Sequence, residues 1–366
     1  MKNYLSSKAA GPFVMDRRGF LYQSSILAMT LASPHWSALF KDSRMGIVVH
    51  SYGNRWNSKT ESKEFPGFIN ALDLLEHSAA IGAGGIQVVV RDWSEELVKK
   101  LRTRTESLGM FLEGSIGVPA INTEVPRFER ELLRAKEAGV TILRTVCSSG
   151  RRYETYHSIG EFKAARLKAL NSLQLAVPIL KKHKMKLAVE NHKDWRADEL
   201  VAMIKQVQSE WVGVTLDFGN SIALMEDPMQ VVRSLAPYVF TTHVKDMGLD
   251  EYPDGFLLSE VPMGLGMLDL PEMVAICKKH NPDVKFNLEM ITRDPLEIPC
   301  LKESYWASFE KKEATELARS LRMVKQNKFK TELPRTSQLD NEAKLKLEEK
   351  NILECLSYSK NTLALK

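Results

Sequence analysis

The chain has 366 residues, 44% of them hydrophobic and 27% charged. These values are close to the globular average, so the chain can bury a sizeable core in one large domain or two ordinary ones. Its 51 basic and 46 acidic residues leave a net charge of only +5, without the basic stripe that a nucleic-acid partner requires. The four cysteines, Cys147, Cys277, Cys300 and Cys355, form no CxxC pair, which argues against a zinc ribbon or a thioredoxin-like site and reads as buried free thiols.

In chain order, the first signal is Asp16-Arg17-Arg18-Gly19-Phe20-Leu21, followed by a modest apolar run from Ser24 to Ala32. Paired arginines ahead of a short, weakly hydrophobic stretch resemble a twin-arginine export signal. Residues 1–40 are therefore expected to be signal and linker, and the mature chain periplasmic or otherwise exported; it is cytoplasmic if the signal is not used. No run reaches the ~20 apolar residues of a membrane-spanning helix, so no stable membrane insertion is expected after export.

From residue 44 onward, short apolar runs alternate with segments of helical period. Strands are expected near Met45–His50, Gly85–Val90, Met110–Ser115, Thr141–Val146, Lys186–Glu190, Gly213–Leu216, Val239–Val244 and Lys285–Glu289. Several are apolar and β-branched at consecutive positions, as in strands buried on both faces. Helices are expected between them: Ala71–Ile81, Glu95–Leu108 with Ser94 as N-cap, Pro126–Ala138, Ile159–His183, Ala197–Gln208, Pro228–Leu235, Pro271–His280 and Glu313–Lys325. Met247–Gly266, rich in Gly and Pro, reads as an inserted loop. Eight βα units suit a closed barrel, although a doubly wound open sheet fits the alternation as well. A polar, helical extension follows over residues 326–366, with a helical run at Asn341–Leu356, either a packing arm or a loosely held tail.

The placement of charge favours the barrel. Strand five ends in Val189-Glu190-Asn191-His192, strand six in Leu216-Asp217-Phe218-Gly219-Asn220, strand seven in His243-Val244-Lys245-Asp246 and strand eight in Leu288-Glu289-Met290. Each charged residue interrupts an apolar run, and a buried carboxylate is expensive unless it is paired or meets a cation. Strand ends of a barrel converge at its C-terminal mouth, where barrel enzymes place their sites. Three carboxylates and one imidazole there supply a site for one divalent ion. Their oxygen-rich character suits Mn²⁺ above all, with Mg²⁺, Co²⁺ or Zn²⁺ as alternatives.

These four motifs resemble those of the sugar phosphate isomerase/epimerase group within the xylose-isomerase-like (β/α)₈ TIM barrel superfamily, over roughly residues 44–325. The resemblance implies an α/β barrel domain at 41–325, Glu190, Asp217, His243 and Glu289 as metal ligands, and Glu190 and Glu289 as the acid/base pair. It implies a small-molecule carbohydrate substrate; the mild charge balance leads to no expectation of a nucleic-acid partner, and a homo-oligomer is compatible with the sequence. The expected reaction is removal of a proton next to a carbonyl, giving an enediolate. Returning the proton to the other face yields an epimer, and returning it to the neighbouring carbon yields an isomer. Expelling a leaving group makes the enzyme a lyase, as on a 3-keto-glycoside.

Further residues are expected to touch substrate. His192 and Lys245 lie two positions after a ligand and face the mouth if their strands continue. Asp246 then points away and serves structure. Arg144, buried in an apolar run, needs a partner, for which Glu113 on strand three is one candidate; a carboxylate of the barrel or a substrate oxygen are others. Arg293 follows the last ligand, with a structural salt bridge as its other reading, and His50 ends strand one. Trp56, Tyr153, Tyr156 and Trp306 fall in mouth-side loops. Asn220 stands where ketose epimerases carry a histidine, so substrate contacts differ from theirs. The same substitution, with no Asp-x-His between His243 and Glu289, removes ligands that an endonuclease IV-like trinuclear site needs. Non-catalytic carbohydrate binding would require the ligand set to be vestigial.

Overall fold

The computed structural model describes residues 44–56, 61–148, 150–310 and 313–365. The twin-arginine segment lies outside the described residues. The barrel strands, in chain order, are β1 (Gly46–Val48), β2 (Gly85–Val89), β3 (Phe111–Ser115), β4 (Ile142–Thr145), β5 (Lys186–Glu190), β6 (Val212–Asp217), β7 (Val239–Val244) and, after an insertion, β10 (Lys285–Leu288). They close into a parallel barrel in the order β1-β10-β7-β6-β5-β4-β3-β2, with β2 pairing back to β1. The open-sheet alternative is thereby excluded.

The helices follow their local signals. Asn70 caps Ala71–Ala80 through Leu72 N, and its backbone N–H donates to Asp73 in return. Ser94 caps Glu95–Leu108, which ends at Gly109 with φ +64°, a left-handed value that costs glycine nothing. Gly46 and Gly85 serve a different need. A Cβ at either would lie 2.5 Å from the Phe111 ring, which closes the barrel floor.

The expected inserted loop is not a loop. Residues Asp246–Tyr252 and Gly255–Val261 form an antiparallel hairpin, β8 and β9, and Leu296–Ile298 (β11) pairs with β9. Pro253-Asp254 makes its two-residue turn ahead of Gly255. Asp246 anchors the return of the chain. Its carboxylate accepts from the backbone N–H groups of Met247, Gly264, Gly266 and Leu268 at 2.9–3.1 Å, the structural role expected for it.

The tail is a packing arm. Helix Asn341–Asn361 buries Leu345, Ile352, Leu353, Cys355 and Leu356. Its Glu348 accepts from Asn54 N and Arg55 N, and its Glu349 pairs with Arg55 and His77. The segment after β1, which carries His50, is thus braced from the C-terminal end of the chain. All four cysteines are free, three of them buried. Among the described residues no helix is long and apolar enough to cross a membrane.

Candidate active site

Asp217 ends β6 and is the register partner of His243, the penultimate residue of β7, and Glu190 closes β5. Glu289 stands one residue beyond β10, its N–H donating to Val244 O. One ligand atom from each of Glu190, Asp217, His243 and Glu289 lies within 4.8 Å of the others, and all four residues are buried. Sequence separation is erased because βα repeats return each strand end to the same rim.

The imidazole is oriented from below. His243 Nε2 faces Gln87 Oε1 at 2.7 Å, an acceptor that fixes the proton on Nε2. Gln87 Nε2 in turn donates to Glu113, which also accepts from Thr241 Oγ1 and Asn287 Nδ2. His243 Nδ1 therefore points into the carboxylate cluster. It makes no hydrogen bond there, lying 3.4 Å from Glu289, 3.5 Å from Glu190 and 3.9 Å from Asp217. A buried, unbonded nitrogen facing three carboxylates is the arrangement a divalent cation would satisfy, so the residues fit such an ion.

Two side-chain cations share the cluster. Arg144 donates through Nε to Glu190 Oε2 at 2.6 Å, with Nη2 in contact with the same oxygen. Lys245 Nζ lies 2.8 Å from Asp217 Oδ2 and touches Glu289. Burial pushes each glutamate up, yet Arg144 and His243 hold Glu190 well below the usual carboxylate range, and Lys245 and His243 do the same for Glu289. Burial also opposes the imidazolium, but Glu289 and Glu190 raise His243 to about 9. Burial raises Asp217 in spite of Lys245, so the negative charge that attracts a cation rests chiefly on the two glutamates.

A cavity of about 280 Å³ opens above it, lined by His50, Arg144, His192, Lys193, Glu289 and Arg293 among others. Glu289 reaches this cavity; Glu190 is fully buried beneath Arg144 and Asn220. His50 Nδ1 lies 3.2 Å from Glu289. Burial lowers His192 to about 4, which keeps its ring neutral.

Several expectations change. Arg144 pairs with Glu190 and Ser115, and the pairing with Glu113 does not form. Glu113 lies deeper in the barrel, among Gln87, Thr241 and Asn287, and does not line the cavity. Lys245 is engaged by the ligand carboxylates themselves. Arg293 lines the cavity and also pairs with Glu260 of the hairpin at 2.6 Å. Of the four aromatic residues, Tyr153 stacks on Tyr305, Trp306 packs edge-on against Tyr305, and Tyr156 bonds Ser148; none of them, nor Trp56, lines the cavity. Sequence reasoning passed over Gln87 and Lys193. The first is a lone amide in the apolar run of β2, a weak but readable signal. The second lies in an irregular loop with no periodicity to mark it.

The architecture is thus a parallel barrel whose C-terminal mouth carries a buried carboxylate and histidine cluster that could hold a divalent ion. Residues 75–326 match the Xylose isomerase-like TIM barrel family, and the chain belongs to it. Among curated proteins it is 27% identical to a 3-oxo-isoapionate decarboxylase of Pectobacterium atrosepticum over 231 residues, 62% of this chain and 78% of that protein. Among solved structures it resembles a D-psicose 3-epimerase crystallised in the presence of D-fructose, with TM-score 0.57, 15% identity, and coverage of 87% of this chain and 99% of that one. It also resembles a xylose isomerase-like TIM barrel protein of Mycobacterium smegmatis in complex with magnesium, with TM-score 0.52, 18% identity, and coverage of 76% and 98%. At these identities the two structures speak for the fold.

Proposed function

We propose that the chain is a metal-dependent enzyme that removes a proton next to a carbonyl of a small sugar or keto-sugar, forming an enediolate. The observation that carries this reading is the cluster of Glu190, Asp217, His243 and Glu289 beneath a cavity of small-sugar size. Glu190, Asp217, His243 and Glu289 would hold a divalent ion, Mn²⁺ for preference, which would supply Lewis acidity for the enediolate. Glu289 is the base, because it is the glutamate that reaches the cavity. Lys245, in contact with Glu289, holds that carboxylate ionised and in place. The neutral imidazole of His192 lines the cavity and offers a hydrogen bond to a substrate hydroxyl. Gln87 keeps His243 in the tautomer that turns Nδ1 toward the cluster.

The fate of the enediolate sets the reaction. Isomerisation or epimerisation returns the proton to carbon. Inversion by two carboxylates requires both glutamates to face substrate, and Glu190 is covered by Arg144. That cover favours single-base outcomes: isomerisation, or a lyase reaction in which the enediolate expels a neighbouring group. The likeness to a decarboxylase supports the lyase reading, since loss of CO₂ from a 3-oxo acid passes through the same type of enolate. The paired arginines at Arg17 and Arg18 support an exported enzyme that meets non-phosphorylated sugars and glycosides; fractionation of cells carrying the tagged chain tests it.

Incubation of the Mn²⁺-loaded protein in D₂O with a panel of keto-sugars, 3-keto-glycosides and 3-oxo sugar acids tests the chemistry. Deuterium at the carbon next to the carbonyl supports isomerase or epimerase action, and release of aglycone or CO₂ supports the lyase. The absence of both exchange and fragmentation across the whole panel would overturn the proposal.

A further inference from the structure

Lys193 is 3% exposed, lines the cavity and has a single hydrogen-bond acceptor, the amide oxygen of Asn220. Among the described residues no carboxylate lies within ion-pair distance of it. A buried ammonium with only a neutral partner is costly, and such a cation aimed into a cavity is poised for an anion. The other charges around it are already matched. Arg144 is taken by Glu190, Lys245 by Asp217 and Glu289, Arg293 by Glu260, and Arg151 by Glu154. Asn220 itself is held in place, its Nδ2 donating to Glu190 Oε1 and Asn191 O, so its oxygen stays turned toward Lys193.

The wider balance points the same way. Four cations (Arg144, Lys193, Lys245 and Arg293) face four carboxylates (Glu190, Asp217, Glu260 and Glu289). Asp194, buried in the same loop as Lys193, is raised well above the usual carboxylate value by burial, and one of its oxygens accepts from Trp195 N. A divalent ion in the cluster would leave these groups with a surplus of positive charge even with Asp194 ionised, which an anionic substrate would offset and a neutral sugar would not.

We infer that the substrate of this site carries an anionic group, a carboxylate or a phosphoryl, that docks against Lys193 at the edge of the cavity. This inference rests on the enediolate-forming site described above and adds the class of compound it takes. Arg293, also on the cavity wall, and the ring of His50 border the same space. The reacting carbon lies toward Glu289, and the anion sits at the Lys193 side.

The test is equilibrium binding by isothermal titration calorimetry to the full Mn²⁺-loaded chain. The probes are 2-keto-D-gluconate, its neutral counterpart D-fructose, and D-fructose 6-phosphate. The expected result is at least about tenfold tighter binding of one of the two anions than of D-fructose, the size of one charge-assisted hydrogen bond. Preference for 2-keto-D-gluconate assigns the group to a carboxylate, and preference for the phosphate ester assigns it to a phosphoryl. Lys193→Met is expected to abolish the preference, and Lys193→Arg to keep it. Should Lys193→Met fail to fold, the wild-type ratio and its decline with added salt still decide the matter. Equal or tighter binding of D-fructose, no binding of any probe, or a preference that survives in Lys193→Met overturns the inference. The chemistry is read separately by exchange in D₂O. Exchange with D-fructose but no anion preference removes this inference and leaves the proposed reaction standing. Anion binding through Lys193 without exchange does the reverse.

Discussion

Two layers of buried acid lie one above the other in this barrel, and they are treated in opposite ways. At the rim, Glu190 and Glu289 are held ionised by Arg144 and Lys245. Below them Glu113, 3% exposed, meets only the neutral donors of Gln87, Thr241 and Asn287, and burial raises it above the ordinary carboxylate value. Burial alone would neutralise all three; a cation within contact is what keeps an acid charged in the interior. The rim is therefore built to hold charge, and the layer beneath is built to orient it, since Gln87 accepts from His243 and donates to Glu113.

Substitutions can break or sharpen this contrast. The largest effect is expected at Glu289→Gln, which removes the base and weakens the ion site together. Turnover in the D₂O exchange assay should fall by about 10²–10⁴-fold. Lys245→Met comes next. In the presence of chelator it leaves Asp217 and Glu289 without their ammonium, and a loss of about 3–5 kcal/mol is expected from denaturant melts. Saturating Mn²⁺ should restore most of that stability; a loss that is the same with and without metal would make Lys245 purely structural. Gln87→Leu frees the His243 ring and should weaken Mn²⁺ affinity by about 10–100-fold, measured by titration with a competing chelator.

A smaller effect concerns the arm that braces the β1 rim. Burial raises Glu348 to about 7, and the N–H groups of Asn54 and Arg55 offset only part of that. An acid with a raised pKa in the folded state favours folding below its unfolded value near 4.5 and loses that advantage as pH climbs toward 7. Wild-type stability should therefore drop between those values by on the order of 2 kcal/mol from this group. Glu348→Gln should flatten that part of the stability curve, as followed by Tm against pH. The smallest effect is expected at Glu113→Gln. Its three donors are neutral and the amide is nearly isosteric, so stability should change by less than about 1 kcal/mol. An effect on turnover equal to that of Glu289→Gln would erase the distinction between the layers.

Much of this layering was legible in the sequence, because a charge inside an apolar run is costly and therefore conspicuous. Glu190, Asp217, His243 and Glu289 each interrupt such a run, and all eight strands begin and end within one or two residues of expectation. The hairpin was misread because Gly and Pro were weighed as loop formers, although Pro253-Asp254-Gly255 between alternating residues is also a hairpin turn. Lys193 and Gln87 were missed since their meaning comes from partners on other strands and loops. The pairing of Arg144 with Glu113 failed because register placed Ser115, not Glu113, beside Arg144 on the neighbouring strand. The docking of the C-terminal helix depends on Asn54, Arg55 and His77, more than 270 residues earlier in the chain, and no local pattern encodes it.

The central claim is that four side chains from four strand ends hold one divalent ion. Titration of Mn²⁺ into the metal-free wild-type chain and into Asp217→Asn, read by calorimetry with metal analysis of the dialysed protein, tests it most directly. The account predicts one ion per wild-type chain and an affinity at least about 100-fold weaker in the variant. A wild-type chain that takes up no stoichiometric ion, or a variant that binds as tightly as the wild type, would contradict it.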